Sequence, residues 1–287
     1  MKPLQKLAGQ TVVYGLSSIA GRLINYLLVP VYTRVFLPAE FGIVTEMYAY
    51  VAFFAVLLTY GMETAFFRFV NSGHNTQKVY STSIITLFST SVLFVALVSF
   101  FSEDIAVWLR YPSHSEYIVW FAWIVALDAF TLIPFARLRS DNKPLKFAAI
   151  RLLNIFVNVG MNILLIFGLP WLVKNNLLNE DFIPGVVVNG KVTVSAVFIS
   201  NLIASLFTVF VMLPEYLKVK LEWSKELLQK MLIYSLPLMI AGFAGIVNET
   251  VDRILIKYLL PADISMTQLG IYGACYKVSI LMTIFIQ

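Results

Sequence analysis

Residues 36–44 read FLPAEFGIV, a short polar hinge between two long apolar stretches, and a similar pattern returns at 259–272 as LLPADISMTQLGIY. The aligned residues are Pro38 with Pro261, Glu40 with Asp263, and, after an insertion, Gly42 with Gly270. The displacement covers six apolar stretches, and this even number predicts a parallel repeat with both copies oriented alike in a membrane. The alternative is that Leu-Pro-Ala-acid is simply a common way to end a span at the outer interface.

The composition is that of a membrane protein. The chain is 59% hydrophobic and only 13% charged, with a mean hydropathy of +0.81, whereas soluble domains carry about 25% charged residues. The apolar residues form blocks of about 20 residues, the length that a helix needs to cross the hydrocarbon core. We therefore predict an all-α polytopic membrane protein.

The hydropathy pattern places the membrane spans. Complete spans are predicted at 11–36, 42–68, 79–101, 117–137, 146–170, 192–213 and 230–259. A further span begins near 268 and is still apolar at the last residues, so we expect this chain to be the N-terminal part of a longer protein. The stretch 171–191 is predicted to form a small external hairpin.

The basic residues alternate between successive loops. The N-terminus and every second break hold most of the Lys and Arg, with clusters at 137–151 and 218–230. The opposite set of breaks holds only Arg34, Arg110, Lys174, Lys191 and Lys257. Because cytoplasmic loops carry the excess of Lys and Arg, the N-terminus is predicted to be cytoplasmic.

Several classes of site find no support in the sequence. One cysteine, Cys275, and two loop histidines, His74 and His114, make no metal-binding pattern. There is no GxxxxGK[ST] phosphate loop, so we expect no ATP hydrolysis and no cofactor. The basic residues adjoin membrane spans instead of forming a separate patch, and nucleic acid is not an expected partner.

Arg22 lies near the middle of the first span, with Asn25 one turn on. A charge at the bilayer centre is costly, so it needs a partner or a wet cavity. We interpret Arg22 and Asn25 as substrate-binding candidates that face a cavity and take a phosphate or pyrophosphate. The alternative is a buried ion pair of Arg22 with Glu46 or Asp128.

The fifth span carries a polar stripe. Arg151, Asn154, Asn158 and Asn162 are spaced by three, four and four residues, which places them on one helix face. Amides in such a stripe can bind sugar hydroxyls or line water, and we predict a substrate-binding role. They can equally hold helices together through hydrogen bonds.

Acidic residues inside the spans are candidates for ion coupling. In NETVDR, residues 248–253, Glu249 and Asp252 are candidates for coupling to H⁺ or Na⁺, while an internal salt bridge to Arg253 is the simpler reading. Glu63 and Asp128 are similar candidates. Glu46 lies near the start of its span and is expected to reach outward to the interface.

Five blocks of the chain, in this order, resemble the bacterial oligosaccharide/polysaccharide (Wzx-like) flippases of the multidrug/oligosaccharidyl-lipid/polysaccharide (MOP) exporter superfamily. The blocks are YGLSSIAGRLINYLLVPVYTRVFLPAEFGIV, GMETAFFRF, LDAFTLIPFARLRSDNKPLKFAAIRLLNI, NETVDRILIKYLLP and LGIYGACYKVSIL. They extend over essentially the whole chain.

The resemblance implies a MATE-like MOP fold of two six-helix bundles around a central cavity, working by alternating access. This chain would hold the first bundle (1–217), a cytoplasmic linker (218–230) and the start of the second bundle (231–287). The implied location is the bacterial cytoplasmic (inner) membrane. The related drug exporters often carry an aspartate in the first span, where this chain has Arg22 and no acid, and this difference favours an anionic cargo.

The implied cargo is an undecaprenyl-pyrophosphate-linked oligosaccharide for lipopolysaccharide, O-antigen or capsule synthesis. The implied partners are membrane lipids and the polymerase and glycosyltransferases of the same polysaccharide. Within transport, the alternatives are a multidrug/cation antiporter or a lipid II flippase. From another class, the alternative is a membrane-embedded glycosyltransferase or ligase, which should show clustered acids in an outer loop, where 171–191 offers only Glu180 and Asp181.

Overall fold

The computed structural model describes residues 15, 19, 23, 24, 26–179, 185–218 and 220–286, with the backbone alone for 280–286. Most of these residues are helical, and the protein is an all-α polytopic membrane protein. After α1 (26–35), the helices are α2 (Pro38–Thr59), α3 (Met62–Asn71), α4 (Thr76–Phe100), α5 (Ser102–Trp108), α6 (Ser115–Ser140), α7 (Pro144–Ile163), α8 (Leu169–Lys174), α9 (Ser195–Leu217), α10 (Lys225–Leu259) and α11 (Ala262–Ile286).

Six helical stretches of the described chain are long and apolar enough to cross a membrane. They are Pro38–Asn71, Thr76–Phe100, Ser115–Ser140, Pro144–Lys174, Ser195–Leu217 and Lys225–Leu259. These stretches correspond to the second to seventh predicted spans, which are thereby confirmed as helices. Of the first predicted span, the last part is the helix α1, and most of the remainder lies outside the described residues.

The second predicted span is not one continuous helix. The chain breaks between α2 and α3 at Tyr60 (φ 33°) and Gly61 (φ 69°). Glycine adopts positive φ at little cost, which permits this break. A side chain at Gly61 would also be too close to the α10 backbone, since a Cβ there would lie 2.9 Å from the Ser235 carbonyl oxygen.

Other boundaries also differ from the sequence prediction. The fifth span continues from α7 through a π-helical turn, Leu164–Gly168, into α8. Helix α10 begins at Lys225, inside the predicted linker, and α11 begins at Ala262 instead of near 268. The first turns of α10 and α11 carry exposed polar residues, Lys225, Glu226 and Asp263, so the apolar run begins after the helix does and hydropathy places the start too late. The division into two bundles stays a prediction.

A hairpin occurs at the end of the stretch predicted to form one, whereas residues 171–174 of that stretch belong to α8. Strands β1 (Val187–Val188) and β2 (Lys191–Val192) pair antiparallel around Asn189 and Gly190. Both turn residues have positive φ, 52° and 72°, as a tight hairpin of this kind requires. Glu180 and Asp181 lie outside the described residues.

The two copies of the repeated sequence occupy equivalent corners. Helix α2 begins at Pro38 and α11 directly after Pro261. In the first copy, the Leu37 N–H donates to the Glu40 carboxylate (2.8 Å), which caps α2. The aligned Gly42 and Gly270 meet, because a Cβ on Gly270 would lie 3.0 Å from the Gly42 nitrogen and 1.8 Å from the Pro38 oxygen. The two copies therefore pack backbone against backbone.

The described residues form two compact units. The first comprises those of Met1–Ala49, Arg151–Ala204 and Thr250–Gln287, and the second comprises Tyr50–Ile150 and Ser205–Glu249. Four helices, α2, α7, α9 and α10, contribute residues to both units.

The second unit has a continuous apolar core. Phe66, Tyr80, Leu87, Ile133 and Met231 are almost completely buried in it. At one end of this core lie ion pairs and cation–π contacts from the basic clusters that the sequence assigns to the cytoplasmic side. Lys146 and Lys218 contact Glu215, and the Arg137 guanidinium lies 4.4 Å from the centre of the Tyr80 ring.

Candidate functional site

A cavity of about 270 Å³ lies within the first unit. It is bounded by α1, α2, α7, α9, α10 and α11, and its lining is half polar in character. The polar residues that line it are Tyr32, Thr45, Tyr48, Asn154, Asn158, Asn201, Arg253, Tyr276 and Lys277. In a membrane helix such side chains need water, a ligand or one another, so this cavity is the strongest candidate for a binding site.

One wall of the cavity is made of amides and phenols. Asn154 and Asn158, one turn apart on α7, present the polar stripe of the fifth span to it. Asn154 Nδ2 donates to the Ala204 carbonyl oxygen of α9 (3.1 Å), and Asn201 Nδ2 of α9 donates to the Tyr48 hydroxyl of α2 (2.8 Å). These bonds fix the positions of uncharged hydrogen-bonding groups along this wall of the cavity.

Two cations line the same cavity, Arg253 of α10 and Lys277 of α11. The Arg253 guanidinium lies 4.3 Å from the centre of the Tyr276 ring, a cation–π contact that orients it. Its Nε is buried and has no hydrogen-bond acceptor in the part of the chain that the structure describes. A buried guanidinium donor without an acceptor is suited to bind the oxygen of an anion.

No aspartate or glutamate is among the lining residues that the structure describes. The neighbouring Asp252 accepts a hydrogen bond from the Tyr272 hydroxyl of α11, and its Oδ1 accepts the Arg253 backbone N–H (2.8 Å). The carboxylate is thus held against α11 beside the cavity. The arrangement can bind an anion that carries hydroxyl or carbonyl groups more readily than a cation.

A buried ion pair lies in the same unit. Lys257 Nζ of α10 donates to both carboxylate oxygens of Glu46 on α2, at 3.0 and 2.8 Å, and the two residues are 3% and 0% exposed. The expectation that Glu46 reaches outward to the interface is wrong, as is the assignment of Lys257 to an outer loop. A buried charge needs an opposite charge beside it, and Lys257 of α10 supplies that charge to Glu46 of α2.

The other residues predicted to bind substrate have different placements. Arg22 and Asn25 lie outside the described residues. Asn162 is 1% exposed and lies behind the cavity wall, and Arg151 is not among the cavity-lining residues. Of the predicted polar stripe, Asn154 and Asn158 therefore reach the cavity.

The predicted coupling acids do not lie together. Glu63 forms an ion pair with Arg139 in the second unit, and Asp128 accepts a hydrogen bond from Ser205 Oγ (2.8 Å). Glu249 is exposed on α10. No group of three or more His, Cys, Asp or Glu that would suit a metal ion occurs among the residues with described positions.

The sequence interpretation did not assign a site role to Arg253, Lys277, Tyr48 or Asn201. The sequence predicts Arg253 only as a salt-bridge partner within NETVDR, and it assigns no role to Lys277. The sequence feature that indicates a site at Arg253 and Lys277 is a cation inside an apolar helix, because such a cation needs an anion or a water-filled cavity. Asn201 and Tyr48 carry no such signal, because single amides and phenols are common in membrane helices.

Residues 7–287 match the family described as polysaccharide biosynthesis protein. The chain therefore belongs to this family, that of the Wzx-like polysaccharide flippases of the MOP superfamily, and the resemblance stated from the sequence is confirmed. No curated protein and no solved structure matches the chain. The protein is thus a multi-pass membrane protein of polysaccharide biosynthesis, and the family and the helices point to a transporter-type protein.

Proposed function

We propose that this protein moves an undecaprenyl-pyrophosphate-linked oligosaccharide across the bacterial cytoplasmic membrane by alternating access. The observation that carries the proposal is the cavity of the first unit, where Arg253 and Lys277 lie with Asn154, Asn158 and Asn201. Cations suit the pyrophosphate, and amides suit the hydroxyl and carbonyl groups of sugars. The family supports a role in polysaccharide synthesis.

In this mechanism the pyrophosphate takes the place of water around Arg253 and Lys277. Two cations in a membrane cavity are costly where none of the described lining residues is an acid, and a doubly charged headgroup offsets that cost. Arg22 and Asn25 remain candidates for the same headgroup. The first sugars lie against the amides while the prenyl tail stays in lipid, so the charged part of the cargo never enters hydrocarbon.

Proton or sodium coupling would drive the cycle. Asp252 is the acid that we favour for this role, because it adjoins Arg253 and its carboxylate is hydrogen-bonded to Tyr272. Protonation or ion binding there would change the field at the headgroup site. The polymerase and glycosyltransferases of the same polysaccharide are the expected functional partners. A multidrug/cation antiporter is less well supported, since a cationic drug needs a carboxylate facing it.

The proposal predicts that Arg253→Gln in the purified full chain weakens the binding of inorganic pyrophosphate. A hydrogen bond to a charged group contributes about 1.5–3 kcal/mol, so Kd should rise about 10- to 100-fold. The measurement is isothermal titration in detergent, together with glycan export in cells that depend on this protein.

Lys191→Gln is the matched control, because it removes the same charge from the exposed hairpin. It should leave both binding and export unchanged. If Arg253→Gln binds pyrophosphate and exports glycan as well as the parent protein, the headgroup site is elsewhere and the proposal fails in this form.

A further inference from the structure

Three polar side chains of α1 and α7 form a hydrogen-bonded chain beside the cavity. The Tyr32 hydroxyl of α1 donates to Asn162 Oδ1 of α7 at 2.8 Å. Asn162 Nδ2 lies 2.9 Å from the Asn158 carbonyl oxygen and 2.8 Å from Asn158 Oδ1. Tyr32 is 9% exposed and Asn162 1% exposed, so bulk solvent has little access to the bond between them.

The backbone decides which way each amide points. A backbone carbonyl can only accept, so the Asn162 atom beside the Asn158 carbonyl must be the nitrogen. The Asn162 oxygen then faces Tyr32, whose hydroxyl must donate. The second hydrogen of Asn162 Nδ2 points at the Asn158 side chain, and the atom that receives it must be the Asn158 oxygen.

It follows that Asn158 turns its NH₂ group away from Asn162. Asn158 lines the cavity, and within the described chain no protein acceptor is bonded to its Nδ2. The side chain is only half-buried. Asn158 is therefore held as a hydrogen-bond donor, on the same cavity as the donors Arg253 and Lys277.

We propose that Asn158 Nδ2 donates to an oxygen acceptor of the cargo, a phosphate or sugar oxygen, and that Asn162 and Tyr32 are positioning residues that keep this amide from flipping. The proposal rests on the proposed function and refines it. A free asparagine presents its donor or its acceptor with similar ease, whereas the held one presents only the donor. The cavity thereby discriminates in favour of acceptor-rich ligands.

The key variant is Tyr32→Phe/Asn162→Leu, which removes both positioning groups while keeping their shapes. Replacing both partners of a buried hydrogen bond with apolar groups is close to neutral for stability. The thermal midpoint in detergent should therefore stay near that of the parent, while Asn158 becomes free to rotate. Asn158→Ala removes the donor itself, and the triple variant combines the two changes.

Two probes distinguish the source of the acceptor, inorganic pyrophosphate and a decaprenyl-pyrophosphate-linked disaccharide, each titrated into the purified full chain. We expect Asn158→Ala and the double variant each to raise Kd about 3- to 10-fold for at least one probe. A loss of affinity for both probes assigns the acceptor to the phosphate. A loss of affinity for the disaccharide lipid alone assigns it to the sugar.

The decisive comparison is made in the Asn158→Ala background. There, Tyr32→Phe/Asn162→Leu should change Kd no more than Tyr32→Phe alone does, because Tyr32 also lines the cavity and the route through Asn158 is gone. If the double variant raises Kd as much in the Asn158→Ala background as in the parent protein, or does not raise Kd in the parent protein, the positioning role is wrong. Unchanged Kd for both probes in Asn158→Ala overturns the donor role.

Arg253→Gln is run with the same probes to separate the two proposals. If it weakens binding while the Asn158 series does not, only the further inference fails. If it has no effect on either probe, the proposed headgroup site fails as well.

Discussion

At the scale of single residues, the ion pair between Glu46 and Lys257 is the most buried charge interaction among the described residues. Its partners are 211 residues apart in the chain and bring α2 and α10 together. Both charges are removed from solvent, so each depends on the other for its stability. The pair therefore contributes to the specificity of packing in the first unit more than to its net stability.

We predict that Glu46→Gln or Lys257→Met alone destabilises the protein by about 3–5 kcal/mol. Each substitution leaves the other residue as a buried charge without its ion-pair partner. Glu46→Leu/Lys257→Met should recover most of this loss, since two apolar side chains leave no charge behind. The measurement is tryptophan-monitored thermal unfolding in detergent.

The chain provides a matched control in Lys230 and Glu226, an exposed Lys–Glu pair at i,i+4 on α10. Breaking it with Lys230→Met should change the unfolding midpoint little, because solvent screens an exposed pair. Equal effects at Lys257 and Lys230 would contradict the assignment of a buried pair.

At the scale of elements, the contact between α2 and α11 depends on glycine. A Cβ on Gly42 would lie 2.3 Å from the Met266 carbonyl oxygen, and one on Gly273 would lie 2.2 Å from Thr45 Oγ1. Small residues let membrane helices approach backbone to backbone, where dispersion contacts are dense. The contact joins the two copies of the repeated sequence and forms one side of the first unit.

We predict that Gly270→Ala forces α2 and α11 apart, because the added Cβ would lie 1.8 Å from the Pro38 carbonyl oxygen. Overpacking of this kind costs about 1–3 kcal/mol, measured as a lower unfolding midpoint. Gly245→Ala on α10 is the control, since nothing lies within 4 Å of its Cβ position. There alanine should be neutral or slightly stabilising, and a similar loss at both positions would argue against the close contact.

At the scale of the whole molecule, the basic residues predict the orientation in the membrane. The clusters at 137–151 and 218–230 are assigned to the cytoplasm, and the hairpin with Lys191 to the outside. Both helices that adjoin the hairpin, α8 and α9, belong to apolar stretches long enough to span the membrane, so the hairpin and residue 224 should face opposite sides.

This orientation predicts the labelling of single cysteines in a Cys275→Ser background, which removes the exposed native thiol. A cysteine at Lys191 should react with a membrane-impermeant maleimide in intact cells. A cysteine at Ser224 should react only after permeabilisation. The reverse pattern would invert the predicted topology.

The positions of the helices, their apolar character and two of the amides of the cavity wall could be predicted from the sequence, because each depends on local spacing. The family could be predicted from five blocks of residues in their order along the chain. Asn154 and Asn158 share a helix face whatever surrounds them. Hydropathy does not predict the break at Gly61, where the α10 backbone packs closely, or the start of α11 at Ala262, because the first turn of that helix is exposed and partly polar.

What the sequence by itself determined is a set of apolar helices, their predicted orientation and the membership in a polysaccharide biosynthesis family, since apolar length and charge bias act locally. Only the tertiary structure decided which polar groups meet. It paired Lys257 with Glu46, set Arg253 and Lys277 on one cavity with the amides, and placed Tyr32 against Asn162 across 130 residues. These contacts depend on how distant helices pack, since in hydrocarbon a buried polar group needs a partner from another helix, a ligand or a water-filled cavity.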